Sequence, residues 1–270
     1  MSETLSDWLA LREAADLAAR SAALTRAVVE RLPRDRPLRA VDLGTGTGSN
    51  VRYLMPRLTA DVQQWLLVDR DPTLLAKAVR SLRPVHSIVV ETREMNLGVL
   101  DAKLFSRRDL VTASALLDLV SETWLRALAA ECRAAGATVL FALTYDGRSQ
   151  CDPQEPEDDA IRELMNQHQR QNDKGFGRAS GPDAVDATER CFADAGFHVT
   201  REPADWVLTP DARELQRQLV EGWASAAREM APERTSMIDD WLRRRLAHIA
   251  AERSRISVGH EDLAAWLPSR

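Results

Sequence analysis

The stretch that decides the fold is a short apolar run ending in a glycine-rich turn, Val41-Asp42-Leu43-Gly44-Thr45-Gly46-Thr47-Gly48. Glycines let the backbone turn tightly, and they let a ligand approach without a Cβ in the way. A helical pattern follows at residues 50–58, and the first amides of such a helix point at a ligand bound to the turn. The stretch therefore predicts a strand, a ligand-binding turn and a helix.

Apolar runs of the same kind recur along the chain, with helical patterns between them. They lie at residues 65–68, 87–90, 110–113 and 138–143, and further strand-like runs lie at 197–201 and 205–208. The main runs are continuous rather than alternating, which is typical of strands that helices cover on both faces. The sequence therefore predicts an α/β fold with a doubly wound, seven-stranded, mostly parallel sheet.

Helical patterns flank this predicted core. We expect an N-terminal helical lid over residues 1–36, a ligand-binding α/β domain over 37–208 and a C-terminal helical extension over 209–270. A polar stretch at 147–182 interrupts the α/β domain, and excursions of this length are usually functional or disordered. We interpret it as a substrate lid, the alternative being a solvated surface loop. The C-terminal helices either complete the substrate pocket or form the interface of a homodimer.

The composition narrows the range of functions. The 270 residues carry a net charge of −5, which argues against general affinity for nucleic acid or anionic membranes. The run at 243–245 is all arginine, but Asp239 and Asp240 adjoin it, so we interpret it as one polar helix face. Three cysteines are too few for a disulfide framework or a cysteine-based zinc site, and they fit a reducing cytoplasm.

The sequence shows neither a targeting signal nor a membrane-spanning segment. The N-terminus carries Glu3 and Asp7 without an apolar segment, so we expect no signal peptide. The longest apolar runs are too short to cross a bilayer. We therefore expect a cytoplasmic protein that binds neither nucleic acid nor membrane and acts on a small molecule.

The spacing of the glycines argues against two common nucleotide sites. A nicotinamide or flavin fingerprint, Gly-x-Gly-x-x-Gly, needs its third glycine at position 49, which is Ser49. A phosphate-binding P-loop needs Gly-Lys-Ser or Gly-Lys-Thr, which does not follow.

An apolar strand, an acid and Gly-x-Gly-x-Gly together resemble the first motif of the class I S-adenosylmethionine-dependent methyltransferases. The resemblance covers roughly residues 36–208. It implies an enzyme that binds S-adenosylmethionine and transfers its methyl group. The ammonium and sulfonium of that cofactor make an acid such as Asp42 useful nearby.

The resemblance also implies which residues hold the cofactor. Asp69, at the end of the second strand, would accept hydrogen bonds from both ribose hydroxyls, although an acid before Pro72 could instead cap a helix. Asn96 and Leu97 stand where the family often has an acid and an apolar residue against adenine, and a turn-forming asparagine is the alternative. The other expected cofactor residues are Arg20, Asp42, Gly44, Thr45, Gly46, Gly48, Arg70 and Ser114.

Arg20 belongs to a series with Arg12 and Asp16, spaced by four on the first helix. The series is most simply a surface salt-bridge ladder. N-terminal helices often close over the cofactor in the resembled family, so Arg20 could instead meet the methionine carboxylate.

The predicted catalytic residues are Asp118, Tyr145 and His168. Asp118 follows the fourth strand and could hold or deprotonate the methyl acceptor, or be an exposed acid in the first turn of a helix. Tyr145 ends the fifth strand, where α/β sheets gather their ligands. His168 lies in the polar insertion, and its ordinary pKa suits a base. The Asn/Asp-Pro-Pro-aromatic motif of enzymes that methylate nucleic-acid bases is absent, so we expect a nitrogen or oxygen of a small polar molecule as acceptor.

Two other functions stay open. The chain could be a methyltransferase-like binding or scaffold protein, although the intact acid and glycine turn oppose this. It could also use S-adenosylmethionine for chemistry other than methyl transfer, such as cyclisation.

Overall fold

The computed structural model describes residues 2–82, 87–171 and 173–268, and its centre is one β-sheet. The strands are β1 Leu38–Leu43, β2 Gln63–Asp69, β3 Ile88–Glu94, β4 Leu110–Ser114, β5 Thr138–Asp152, β6 His198–Pro203, β7 Trp206–Leu208 and β8 Arg255–Trp266. Their order across the sheet is β3-β2-β1-β4-β5-β8-β6, and β7 pairs with β8. The first five strands are parallel, whereas β8 runs antiparallel to its neighbours.

Helices cover both faces of this sheet, so the predicted doubly wound α/β fold is confirmed. They are α1 Ser2–Ala19, α2 Ala22–Val29, α3 Ser49–Leu54, α4 Pro72–Ser81, α5 Glu122–Ala135, α6 Asp158–Gln171, α7 Ala184–Asp194, α8 Arg213–Met230 and α9 Thr235–Ala250. On one face, Val41 and Val139 pack against Leu128 of α5. On the other, Ala40 and Leu140 join a core with α2, α3 and α4. Both faces are apolar, which explains the continuous runs in the sequence.

The last strand overturns part of the sequence prediction. Residues 255–266 were expected to be helical with the rest of the C-terminal extension, but they form β8, which lies between β5 and β6 in the sheet. Apolar residues such as Ile256 and Leu263 are buried there, yet His260, Glu261 and Asp262 interrupt the run. These polar residues find their partners far away in sequence, so the local pattern does not reveal a strand.

The polar insertion is also more regular than expected. Strand β5 continues to Asp152, well beyond the predicted end at 143, because its distal part pairs with residues 255–258 of β8. Residues 158–171 within the insertion form the helix α6. The division of the chain at residues 36 and 208 stays a prediction, as does a homodimer interface on α8 and α9.

Helices α6, α8 and α9 pack into a third core beside β7 and the start of β8. Arg245 of α9 is fully buried there and pairs through Nη2 with Asp158, whose Oδ1 also accepts Trp241 Nε1 at 2.8 Å. The expectation that the three arginines form one polar helix face is therefore wrong for Arg245. Within the described part of the chain, no helix is both long and apolar enough to cross a bilayer.

Replacing Arg245 with methionine should destabilise the fold, because Asp158 would lose the buried charge that compensates it. We expect the free energy of unfolding to fall by about 3 kcal/mol. Urea denaturation of Arg245→Met beside Arg243→Met tests this, since the Arg243 side chain is 70% exposed and should contribute less than about 0.5 kcal/mol. Equal losses in the two variants would contradict the assignment.

Candidate ligand-binding site

A cavity of about 570 Å³ lies at the carboxyl ends of β1, β2 and β4. Cavities that bind small ligands occupy roughly 300–1,000 Å³, and α/β sheets bind ligands at this edge. Leu5, Leu9, Arg12 and Asp16 of α1 line one side of it. Of the predicted site residues, the lining includes Asp42, Gly44, Thr45, Gly46, Asp69, Arg70, Asn96, Leu97 and Ser114.

The glycine turn has a conformation that requires glycine. Gly44, Gly46 and Gly48 have φ values of +64°, +56° and +84°, which side chains rarely allow. A Cβ at Gly46 would lie 3.1 Å from Leu9 of α1, so the glycine lets α1 approach the turn. Gly48 caps α3 and lies outside the cavity lining.

Asp42 lies at the bottom of the cavity with half of its carboxyl group satisfied. Its Oδ1 accepts a hydrogen bond from Asn50 Nδ2 at 2.7 Å, whereas Oδ2 is buried without a partner among the described residues. Burial raises the pKa of Asp42 to about 7, against the opposing hydrogen bond from Asn50 and the charge of Arg20. A donor or a cation in the cavity would satisfy this oxygen.

Asp69 connects two turns and still faces the cavity. Its Oδ2 accepts Gly46 N at 2.8 Å and its Oδ1 accepts Asp71 N at 3.0 Å. The helix-capping role that was the alternative for Asp69 belongs to Asp71, whose side chain accepts Thr73 N. Each oxygen of Asp69 keeps a lone pair for a ligand hydroxyl.

Asn96 forms the turn that was the alternative for it, and its predicted contact with adenine stays a prediction. Its Oδ1 accepts Gly98 N at 2.9 Å, which closes a turn, and the residue lines the cavity beside Leu97. Leu97 is buried, and its carbonyl accepts Trp124 Nε1 at 2.7 Å.

Only a small part of the polar insertion reaches the cavity. Lys174 and Phe176 line it, and the ring of Phe176 packs edge-on against Trp124, with 5.7 Å between centroids. The segment also approaches Gly98 closely, because a Cβ added to Gly98 would lie 2.3 Å from the carbonyl oxygen of Gly175. We name residues 173–178 the strap, because this segment packs against the turn after β3 and borders the cavity.

Arg20 lies beside the cavity rather than in its lining. Its Nη1 donates to Asn50 Oδ1 at 2.7 Å and its Nε to Asp262 Oδ2 at 3.3 Å. Its side chain is 2% exposed, and its Nη2 is buried without a hydrogen-bond partner among the described residues, so a cofactor role for Arg20 stays a prediction. Arg12 is instead the arginine of α1 that lines the cavity, paired with Asp16 at 2.9 Å. Asp16 is buried, so this pair is not the surface contact that its spacing suggested.

The structure does not bring the three predicted catalytic residues together. Asp118 lies between Leu117 and Leu119 after β4, with Oδ1 buried and unpartnered among the described residues, and burial raises its pKa to about 6. Tyr145 is buried and donates through its hydroxyl to Asn166 at 2.8 Å, and neither Tyr145 nor Asp118 belongs to the cavity lining. His168 lies outside the cavity lining, with Nε2 2.9 Å from Glu229 of α8.

Two aromatic residues near Arg12 were not among the predicted site residues. Trp206 donates through Nε1 to Asp16 at 3.1 Å, and the Arg12 guanidinium lies 4.9 Å from its ring. The His260 ring is 5.0 Å from that of Trp206, and burial lowers its pKa to about 4, which keeps it neutral. No sequence signal marked His260, because it lies in the segment that was interpreted as helix.

The raised pKa of Asp42 predicts a pH-dependent stability. Its pKa in the folded state, about 7, exceeds the ordinary 3.8, so the folded protein binds this proton more tightly and loses stability as pH rises between the two values. In Asp42→Asn this loss is absent, so between pH 5 and 7 the variant should gain up to about 2 kcal/mol relative to wild type. Urea denaturation at several pH values measures the difference, and parallel curves would contradict it.

Comparison with known proteins detects similarity only at the level of structure. No protein-family model matches the chain, and no curated protein matches its sequence. Similar solved structures include the cyclopropane synthase MmaA2 from Mycobacterium tuberculosis, at 10% identity and a TM-score of 0.46 over 90% of this chain and 83% of that one.

Two others have similar scores. One is phosphoethanolamine N-methyltransferase 2 from Haemonchus contortus, in complex with phosphomonomethylethanolamine and S-adenosylhomocysteine, at 17% identity and a TM-score of 0.45 over 92% of this chain. The alignment covers 53% of that protein, about half of its length. The other is the YcgJ protein from Bacillus subtilis, at 12% identity and a TM-score of 0.47 over 91% of this chain and 98% of that one.

Proposed function

We propose that this protein binds S-adenosylmethionine and transfers its methyl group to a nitrogen or oxygen of a small polar molecule. The observation that carries the proposal is the buried Asp42 carboxyl, which lines the cavity next to the glycine turn and keeps one oxygen without a partner among the described residues. A buried acid in this state favours a ligand with positive charge. The sulfonium and ammonium of S-adenosylmethionine meet that requirement, and the cofactor carries no phosphate that two acids would repel.

The lining residues fit the other parts of the cofactor. Asp69 keeps free lone pairs for the two ribose hydroxyls. The turn at Asn96 and Leu97 and the exposed Arg70 would border the adenine, and Gly44, Thr45, Gly46 and Ser114 line the methionine end. The bound cofactor supplies an already activated methyl group, so the protein has mainly to orient the acceptor and exclude water.

Three parts of this chain serve those tasks. Helix α1 and the strap border the cavity and limit the access of water. Asp118 would hold the acceptor or take its proton, since one of its oxygens lacks a partner. Tyr145, whose hydroxyl donates to Asn166, lies outside the cavity lining and has no part in this proposal. We withdraw His168 from the catalytic set, because it contacts Glu229 outside the cavity.

Calorimetric titration with S-adenosylmethionine, S-adenosylhomocysteine and NADH tests the cofactor. We expect micromolar binding of the two sulfur compounds and none of NADH. Asp69→Asn should weaken binding of S-adenosylmethionine by about 10-fold or more, because it removes a charged acceptor of hydrogen bonds. Asp61→Asn, which changes an exposed acid outside the cavity, should bind like wild type.

Failure to bind either sulfur compound would refute the proposed function. Binding that Asp69→Asn leaves unchanged would show that the cofactor lies elsewhere. Binding without methyl transfer to any acceptor would favour a binding protein, or other chemistry with the same cofactor.

A further inference from the structure

Helix α1 crosses the cavity and connects its two ends. Near the start of the helix, Ser6 accepts a hydrogen bond at 2.7 Å from Lys77 Nζ of α4, the helix that follows β2. Further along, Asp16 accepts Trp206 Nε1 at 3.1 Å, and Trp206 belongs to β7, which pairs with β8. Because β2 and β8 lie on opposite sides of β1 in the sheet, one end of the cavity lies towards β2 and the other towards β8.

The charged residues of the cavity lining divide between these ends. Residues 69–71 are two acids and an arginine at the carboxyl end of β2, and Lys174 belongs to the strap, which packs against the turn after β3. We name these four residues the β2 end. Arg12 and Asp16 also line the cavity, and we name this pair the β8 end.

The charges at each end sum to zero. The β2 end has two carboxylates and two cations, and at the β8 end Arg12 Nε lies 2.9 Å from Asp16 Oδ2. Asp42, beside the glycine turn, is the seventh and last charged residue of the described lining, and Asp118 lies outside it. The sulfonium, ammonium and carboxylate of S-adenosylmethionine leave that cofactor one net positive charge, which would compensate Asp42. The lining and the cofactor together would then carry no net charge.

Apolar side chains line the cavity between the glycine turn and the β8 end. The Cδ1 of Leu116, which follows β4, lies 3.4 Å from the position of a Cβ added to Gly44. The Cδ1 of Leu9 on α1 lies 3.1 Å from a Cβ added to Gly46. Leu119 also lines the cavity, and it and Leu9 are only partly buried. An apolar group that covers these side chains would remove their surface from water, which is favourable.

From this lining we infer that the methyl acceptor is an uncharged molecule whose nitrogen or oxygen is attached to an apolar body. The inference rests on the proposed function and narrows it to one class of substrate. A carboxylate, a phosphate or a permanent cation on the acceptor would meet no uncompensated charge in the described lining, and burying an unpaired charge is costly. An apolar body would instead contact Leu9, Leu116 and Leu119.

The methyl transfer itself needs no charged group on the acceptor. The nitrogen or oxygen donates an electron pair to the methyl carbon as the carbon–sulfur bond breaks, and that bond's electron pair stays on sulfur. The acceptor atom then loses its proton, which passes finally to water. Both products, the methylated acceptor and S-adenosylhomocysteine, form without any further reactant.

A panel of matched acceptors separates charge from shape. Phenols, anilines and alkanols are each supplied with a neutral, a carboxylate or a trimethylammonium substituent, beside glycerol and urea as polar molecules without an apolar body. Saturating S-adenosylmethionine is present, and release of S-adenosylhomocysteine and the mass of the product are measured. We expect kcat/KM to be about 10-fold or more higher for neutral acceptors with an apolar body than for their charged or small polar counterparts.

Two variants test the residues that carry the inference. Leu119→Asn should lower kcat/KM for the neutral acceptor about 10-fold, mainly through KM, with S-adenosylhomocysteine binding unchanged. Leu17→Asn is its matched control, since Leu17 of α1 is 40% exposed and outside the lining. Asp16→Asn keeps an oxygen for Trp206 but leaves the charge of Arg12 uncompensated.

The Asp16→Asn variant should therefore change the preference of the enzyme. We expect kcat/KM for the carboxylate-bearing acceptors to rise about 10-fold or more relative to the neutral ones. Asp194→Asn, whose exposed acid on α7 has its side chain 72% exposed, should keep the preference of wild type. A merely structural role for Asp16 would lower the rates with all acceptors alike.

Four results would overturn the inference. They are charged or small polar acceptors methylated as fast as the neutral ones, a Leu119→Asn variant as active as wild type, a folded Asp16→Asn variant with unchanged preference, and a protein that binds S-adenosylmethionine but methylates none of the neutral acceptors. Failure to bind S-adenosylmethionine in the calorimetric titration would instead refute the proposed function itself.

Discussion

A buried chain of hydrogen bonds between Asp42 and Asp262 links the parts of this fold that surround the cavity. Asp262 of β8 accepts Leu143 N at 2.9 Å, where β5 has a φ of +53°, and it also accepts Arg20 Nε. Arg20 reaches Asn50, and Asn50 donates to Asp42. Burying charged groups is costly unless each finds partners. The glycine turn, the junction of α1 and α2, the bend in β5 and the insertion of β8 therefore depend on one another.

The acids near the cavity differ in how far their buried oxygens are satisfied by hydrogen bonds. Asp69 is used in part to hold the glycine turn, and Asp16 is saturated by Arg12 and Trp206. Among the described residues, Asp42 and Asp118 each keep one buried oxygen without a partner. Satisfied acids position the backbone and the helices, whereas the unsatisfied Asp42 lines the cavity beside the glycine turn. Asp118 follows β4 and lies outside the cavity lining, so only the first of these two oxygens is placed to meet a ligand in the cavity.

Local sequence was sufficient to locate β1 to β5, the glycine turn and several residues of the cavity lining. Val41 to Gly48 predicts a strand and a tight turn because glycine alone adopts the required positive φ angles easily. Continuous apolar runs predict β1 to β5 because both faces of a parallel sheet are covered. Asp69 and Asn96 follow directly after such runs, and the carboxyl ends of parallel strands meet at one edge. Asp69 and Asn96 therefore line the same cavity because of the parallel strand arrangement.

Tertiary structure decided the rest, because the deciding partners are distant in sequence. In the sequence, residues 260–262 resemble the polar face of a helix. In the fold, Asp262 accepts hydrogen bonds from Arg20 and Leu143, and Glu261 pairs with Arg201, so these acids can lie within a strand of the sheet. The adjacent arginines 243–245 have the same local sequence environment, but only Arg245 is buried, where it pairs with Asp158. The spacing of four residues on a helix predicts the contact between Arg12 and Asp16. It does not predict that Trp206 packs against this pair and donates a hydrogen bond to Asp16. Periodicity determines local conformation, whereas the neutralisation of a buried charge depends on contacts that only the folded chain makes.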